Sequence, residues 1–430
     1  MCKNLTFEEC ELSILRTAID SSEKRQGMKL LSSPLTQKMI SIVEKFIAKH
    51  KCIVYGGTAV NNILPKKDQF YDYNYEIPDY DFYATEPLKL ATELADIFSK
   101  EGFEDVEAKS GMHHGTYKVF VNVMGVADIT YLHPELYNAL LKNAIKKDNI
   151  LYAPANFLRQ AMYLELSRPM GDVSRWEKVL KRLNLLNKNY PLVAKKCATQ
   201  RKYTGKRESE IFTLSKKILV DQNVVFIGGY ANALYSKYTD SPKVKNIPDF
   251  DVLSIDPLKT ATLLKEELVK NGFNSHIKEH DEIGELVSTH YSVSIDDNYI
   301  AFIYRPVACH SYNVIHDGTH EIKIGTIDTL LSYYLAFMYA DRDYFDENRL
   351  LCLSSILFKV QQHNRLSQKG LLKRFVIKCY GVQPTLKSIR EENQEIYNKL
   401  KRNPRSKEFK ERFFKYIPKT RKIKLKKKKD

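Results

Sequence analysis

Asp79 and Asp81 stand one residue apart in "IPDYDFYA". On an extended strand that spacing sends both carboxylates to one face. Two like charges held together repel and raise each other's pKa, so the pair gains little by itself. A divalent cation would change this, because Mg²⁺ takes hard oxygen ligands, commonly one or two carboxylates together with substrate phosphates. Asp128, in "GVADITYL", interrupts an apolar strand pattern and needs a cation or a basic side chain as partner. Upstream, Gly56-Gly57-Thr58 separates the apolar "CIVY" from a short helical pattern. Glycines there let the backbone approach a ligand, and a helix start offers unpaired N–H groups to phosphate. Each feature also has a plainer reading: a solvated Asp-x-Asp at a strand edge, a tight strand-to-helix turn, or an ordinary salt bridge to Asp128. No G-x-x-x-x-G-K-[ST] loop occurs in the chain.

These residues need elements to hold them. Ser33 as N-cap, Pro34 at the first helical position and the recurrence of Leu35, Met39, Ile42, Val43, Phe46 and Ile47 predict a helix. "CIVYGG" reads as a short buried strand and "TAVNNIL" as a short helix. A Tyr-rich loop, the strand "DYDFYA" and the helix "EPLKLATELADIFSKEGF" follow, then the strands "TYKVFVNV" and "VADITYL". A basic helical region begins near Pro154. Tyr71, Tyr73 and Tyr75 could stack on a base or simply order their loop, and His113 and His114 read as loop histidines.

The same order returns about 170 residues later, roughly the length of one domain. "VVFIGG" matches "CIVYGG", "IPDFDVLSIDPLKTATLLKEELVKNGF" matches the segment from Ile77, and "NYIAFIYRP" matches "VADITYLHP". Two tandem copies of one α/β unit with mixed sheets and helical appendages are therefore expected, with boundaries at 1–195 and 196–385. Residues 386–430 form a basic helix and a Lys-rich end that carry about three-quarters of the net charge of +16. That end reads as an electrostatic arm for RNA, a nuclear-import signal or a solubilising tail. With 43% hydrophobic and 28% charged residues the chain reads as soluble and globular, and its pI near 9.2 points to a polyanionic partner. No apolar run is long enough for a membrane span, and "MCKNLTFEEC" has no signal-peptide pattern. The seven cysteines are scattered without C-x-x-C, which suits a reducing compartment and speaks against a zinc site or a disulfide framework.

Strand, Gly-Gly-Thr, helix, Asp-x-Asp and a later isolated Asp, in that order, resemble the layout of the DNA polymerase β-like nucleotidyltransferases. "YGGTAVNNIL", "IPDYDFYA", "GTYKVFVNV", "ADITYL" and "SRPMGDVSRWEKVLKRL" resemble, more narrowly, the poly(A) polymerases of giant DNA viruses, relatives of the poxvirus catalytic subunit. The resemblance runs from about residue 30 to 380 and is looser in the second copy. It implies transfer of AMP from ATP to an RNA 3′ end with Mg²⁺ or Mn²⁺ as cofactor, and a homodimer. It further implies a viral factory or virion as location, with the Lys run leaving a nuclear route open, and a capping or processivity protein as further partner. Asp79, Asp81 and Asp128 take the metal role and Gly56, Gly57 and Thr58 the nucleotide cradle. Arg168, Arg175 and Lys178 are further phosphate candidates, with ion pairs to Asp172 or Glu177 as the plainer reading.

The second copy keeps Gly228-Gly229, Asp249 and Asp251, but Phe302 falls opposite Asp128 and Tyr230 opposite Thr58. It is expected to be a catalytically inactive duplicate, although Asp296 and Asp297 lie close enough to shift that alignment. The nearest rivals are another terminal nucleotidyltransferase (CCA-adding, uridylyl or oligoadenylate type) and a non-catalytic RNA-binding scaffold on the same fold.

Overall fold

A computed structural model describes residues 6–194, 201, 203–239, 247–364 and 367–419. The Lys-rich end from residue 420 lies outside the described residues. The chain divides into two compact units. The first comprises Met1–Leu132, Ala144–Ala153 and Ile389–Asp430, and the second His133–Asn143 and Pro154–Ser388. The basic helices Ala155–Leu166 and Trp176–Asn189, expected with the first copy, therefore group with the second unit, and the basic helical segment from Ile389 groups with the first.

In the first unit, the helix Pro34–His50 starts at Pro34 and buries Met39, Val43, Phe46 and Ile47, one stripe of its surface. Leu35 stays exposed. Lys51, in the left-handed region at φ 53°, ends the helix and turns the chain into β1 (Ile53–Val54). The strands β2 (Asp81–Ala84), β3 (Glu107–Ser110), β4 (Thr116–Val121), β5 (Met124–Tyr131), β6 (Ile145–Lys147) and β7 (Ile150–Tyr152) follow. They form a mixed sheet in the order β3-β4-β5-β2-β1-β7-β6, and a late strand, Lys415–Tyr416, pairs along the outer edge of β3. Helix Pro87–Lys100 covers it with Ala91, Leu94, Ala95 and Phe98 buried. A further helix, Phe7–Leu31, has no fully buried side chain; its start is marked by a capping box between Thr6 and Glu9.

The second unit repeats this plan. Its strands are β8 (Val225–Phe226), β9 (Phe250–Leu253), β10 (Ser275–His280), β11 (His290–Ile295), β12 (Asn298–Tyr304), β13 (His310–Asp317), β14 (His320–Gly325) and β15 (Cys379–Tyr380). The order β10-β11-β12-β9-β8-β14-β13 reproduces the first sheet strand for strand, and β15 pairs on β13. The α/β class and the tandem mixed sheets expected from the sequence are what the chain forms. The cysteine reading needs correction. Cys309 and Cys379, 70 positions apart, are joined by a disulfide. Pairing of Ser311 with Cys379 and His310 with Tyr380 brings the two together, a contact that cysteine spacing alone does not reveal.

Candidate active site

The first unit assembles its polar residues around the end of β1. The Tyr55 N–H donates to the Asp81 carbonyl at 2.9 Å, which carries the β1–β2 pairing one residue further. The chain then turns at Gly56, whose φ of +72° lies in the left-handed region. A Cβ there would come within 2.8 Å of Asp81 Oδ2, so glycine lets the turn lie against the carboxylate. Helix Gly56–Ile63 begins at this turn. The buried Thr58 donates its hydroxyl to the Asp79 carbonyl at 2.6 Å, tying the helix to the chain entering β2. Asp79 itself is exposed and lies before β2 rather than within it, so only Asp81 of the pair is a strand residue.

Asp81 pairs with Asp128 in parallel register between β2 and β5, which sets the two carboxylates abreast on neighbouring strands. On the far side of Asp128, antiparallel pairing of β4 with β5 places Lys118, whose ammonium is ion-paired with Asp128 Oδ2. The salt bridge allowed for in the sequence is thus present. The next row along these strands is Tyr83, Thr130 and Thr116. Tyr55 stacks on Tyr83 with centroids 3.9 Å apart, and its hydroxyl lies 2.9 Å from Thr130 Oγ1. Burial, and next the charge of Asp81, push the Tyr55 hydroxyl well above its ordinary pKa.

Between the two acidic residues, the buried Tyr80 donates to Glu44 Oε1 at 2.6 Å. Burial and this bond raise the Tyr80 pKa, so the phenol keeps its proton and anchors the Asp-x-Asp segment to helix Pro34–His50. Tyr80→Phe should lower stability by about 1–2 kcal/mol in urea denaturation; no measurable loss would remove Glu44 as the anchor.

Asn61, fully buried, accepts the backbone N–H groups of Phe70 and Tyr71, both at 2.8 Å, and so shapes the Tyr-rich loop. The Tyr73 hydroxyl donates to Asn62 at 2.8 Å, and the Tyr75 ring takes Lys24 at 5.2 Å from its centroid. Burial pushes the Tyr73 hydroxyl up to about 12. Neither asparagine figured among the sequence-based candidates; the signal was two amides in a helical pattern otherwise apolar. His113 and His114 are exposed, in the turn before β4.

Arg168, Arg175 and Lys178 belong to the second unit. Arg175 Nε is 3.1 Å from Glu165, and Glu177 pairs with Lys181. Arg168 is half-buried, and that burial presses its pKa below the ordinary value.

The same register in the second unit pairs Asp251 with Phe302, where the first has Asp81 with Asp128. Asp296 and Asp297 lie beyond β11, before β12, and do not disturb that alignment. Asp249 and Asp251 are buried. Arg201 reaches them at 2.8 and 2.9 Å, Arg349 is paired with Asp249, and the Arg201 guanidinium lies 4.6 Å from the Phe302 ring centroid. Burial works to raise the Asp249 pKa, but the two arginines hold it lowered. Tyr230 packs among Phe212, Phe226 and Phe250 instead of facing a ligand.

The donor chemistry of the first unit suits a divalent cation: carboxylate oxygens, two of them borne side by side, with a glycine turn against one. Among the described residues, however, no three His, Cys, Asp or Glu side chains converge as a ligating group. The donors fit Mg²⁺ in kind, and Lys118 stands on the third of them.

Residues 41–172, which include every acidic residue of this site, match the model of a family described as the poly(A) polymerase catalytic subunit. A protein of Acanthamoeba polyphaga mimivirus, provisionally named a poly(A) polymerase catalytic subunit, is 32% identical over 158 residues, 36% of this chain and 26% of the relative. A protein of African swine fever virus (strain Badajoz 1971 Vero-adapted), named in the same way, is 32% identical over 159 residues, 36% of this chain and 33% of the relative. The matched segment thus spans a third or less of these curated relatives. The crystal structure of the Megavirus polyadenylate synthase superposes with a TM-score of 0.79 at 20% identity, over 97% of this chain and 88% of that one. At that identity the likeness is one of fold.

Proposed function

We propose that the chain is a polynucleotide adenylyltransferase, which transfers AMP from ATP to the 3′ end of RNA and releases pyrophosphate. The observation that carries the proposal is the register of Asp81 with Asp128 beside the Gly56 turn, in the segment that matches the catalytic-subunit family. In this reading Asp79, Asp81 and Asp128 hold the divalent cation, Mg²⁺ or Mn²⁺. Bound there, the cation would supply Lewis-acid chemistry to the acceptor hydroxyl and the triphosphate. Gly56 and Gly57 give the triphosphate a backbone without side chains at the helix start, and Thr58 keeps that helix fixed to the Asp-x-Asp segment. The 3′ oxygen forms a bond to the α-phosphorus as the bond to pyrophosphate breaks, and the hydroxyl proton passes to solvent water. Arg168, Arg175 and Lys178 remain proposals as phosphate contacts.

The second unit does not catalyse in this reading, because Phe302 stands where the first unit has Asp128 and arginines engage the two carboxylates that remain. The proposal further includes RNA as the polyanionic partner of the basic chain, a second copy of the chain or a separate processivity protein as partner, and a viral cytoplasmic setting. No described helix is long and apolar enough to cross a membrane.

Extension of a labelled RNA primer with each nucleoside triphosphate supplied separately, in Mg²⁺, tests it. Long products from ATP alone are expected. Extension with UTP or CTP instead would replace poly(A) synthesis by another terminal transfer, and no extension with any nucleotide would leave an RNA-binding scaffold.

A further inference from the structure

The proposed chemistry leaves Lys118 without a task, yet it sits within the site. Across β2, β5 and β4 the residues Asp81, Asp128 and Lys118 form one row, two carboxylates and then an ammonium. Neighbouring strands lie about 4.8 Å apart, so the carboxylates repel unless a positive charge stands close by. Lys118 supplies that charge through its ion pair with Asp128 Oδ2. A divalent cation bound by Asp81 and Asp128 must compete with this ammonium for the same carboxylate.

In the second unit the cations beside the two carboxylates are buried arginines. There Arg201 and Arg349 are 16% and 6% exposed at their side chains and hold Asp249 and Asp251 through several contacts. A planar guanidinium buried in that way does not leave. Lys118 differs: its side chain is 40% exposed, it makes a single point contact, and its four-carbon stem can swing aside.

We infer that Lys118 is a displaceable placeholder for the divalent cation, a positioning residue that holds Asp128 in the cation's absence and weakens the cation's affinity when it binds. The inference rests on the reading of Asp81 and Asp128 as cation ligands. It makes Lys118 the residue that sets how much free metal the site requires.

Mn²⁺ binding to the full chain, measured directly by the electron paramagnetic resonance of free Mn²⁺, tests it without reference to activity. Lys118→Met should bind Mn²⁺ about ten-fold more tightly than wild type, which is ~1.4 kcal/mol. Lys118→Arg, which keeps the charge, should bind no more tightly than wild type. The rise in melting temperature on adding Mn²⁺ should be larger for Lys118→Met than for wild type. Equal or weaker binding by Lys118→Met, while Asp81→Asn abolishes the wild-type site, overturns the role of Lys118 and leaves the cation site standing. Absence of any Mn²⁺ binding that Asp81→Asn removes overturns both.

Discussion

Asp128→Ala should reduce primer extension by about 1,000-fold or more while leaving the protein folded. The size follows from the role proposed for this carboxylate. A group that organises charge where a bond forms typically contributes 10²–10³ in rate, and loss of a ligand to the cation acts on the same step. The spared fold follows from exposure. Asp128 and Lys118 are 23% and 40% exposed at their side chains, so breaking their pair should change stability by under about 1 kcal/mol. Activity and melting temperature together decide the matter. If extension survives within ten-fold of wild type, Asp128 is not a cation ligand and its partner Lys118 is its whole purpose.

In the second unit, removal of a carboxylate retained in place, Asp249 at the position of Asp79, should have the opposite profile. Asp249→Ala should lower stability by about 3–5 kcal/mol, because it leaves Arg201 and Arg349 buried without the carboxylate that both engage. The loss should appear in urea denaturation as an earlier transition of that unit. A second variant that also replaces Arg349 with methionine should recover part of it, since an unpaired buried charge costs more than an apolar side chain in the same space. A stable Asp249→Ala protein would mean that the arginines find other partners or water, and that the pair is no structural substitute for a cation.

The repeat was legible because both copies must bury the same strands in the same order, which fixes apolar residues at the same spacings. Hence the match of "PDYDFYA" to "PDFDVLS" goes with equal registers, and Phe302 pairs with Asp251 as Asp128 pairs with Asp81. What escaped notice was long-range or lacked periodicity. Arg349 meets Asp249 from 100 positions away, and nothing local to either residue announces it. Glu44 accepts from Tyr80 across 36 positions of chain. Lys118 looks like any outward lysine in "TYKVFVNV" until β4 and β5 are paired. Helix Phe7–Leu31 lacks a buried stripe, so its hydrophobic pattern is weak and only its capping box marks it. The compact units cross the sequence boundaries because helical appendages choose a sheet by packing, which composition does not encode.

The strand Lys415–Tyr416 closes the outer edge of β3, with Tyr416 bonded to Asp96 at 2.7 Å and Phe414 packed edge-on against Tyr117. During synthesis the ribosome therefore makes the second unit in full before it delivers the piece that completes the first. At roughly 5–20 residues per second, the edge of β3 waits roughly 15–60 s after Leu132 has been made. An uncovered strand edge is a template for pairing with other chains, so nascent copies on one message are most exposed to one another during that interval. The unit that carries the candidate active site is completed only after the second unit has been made.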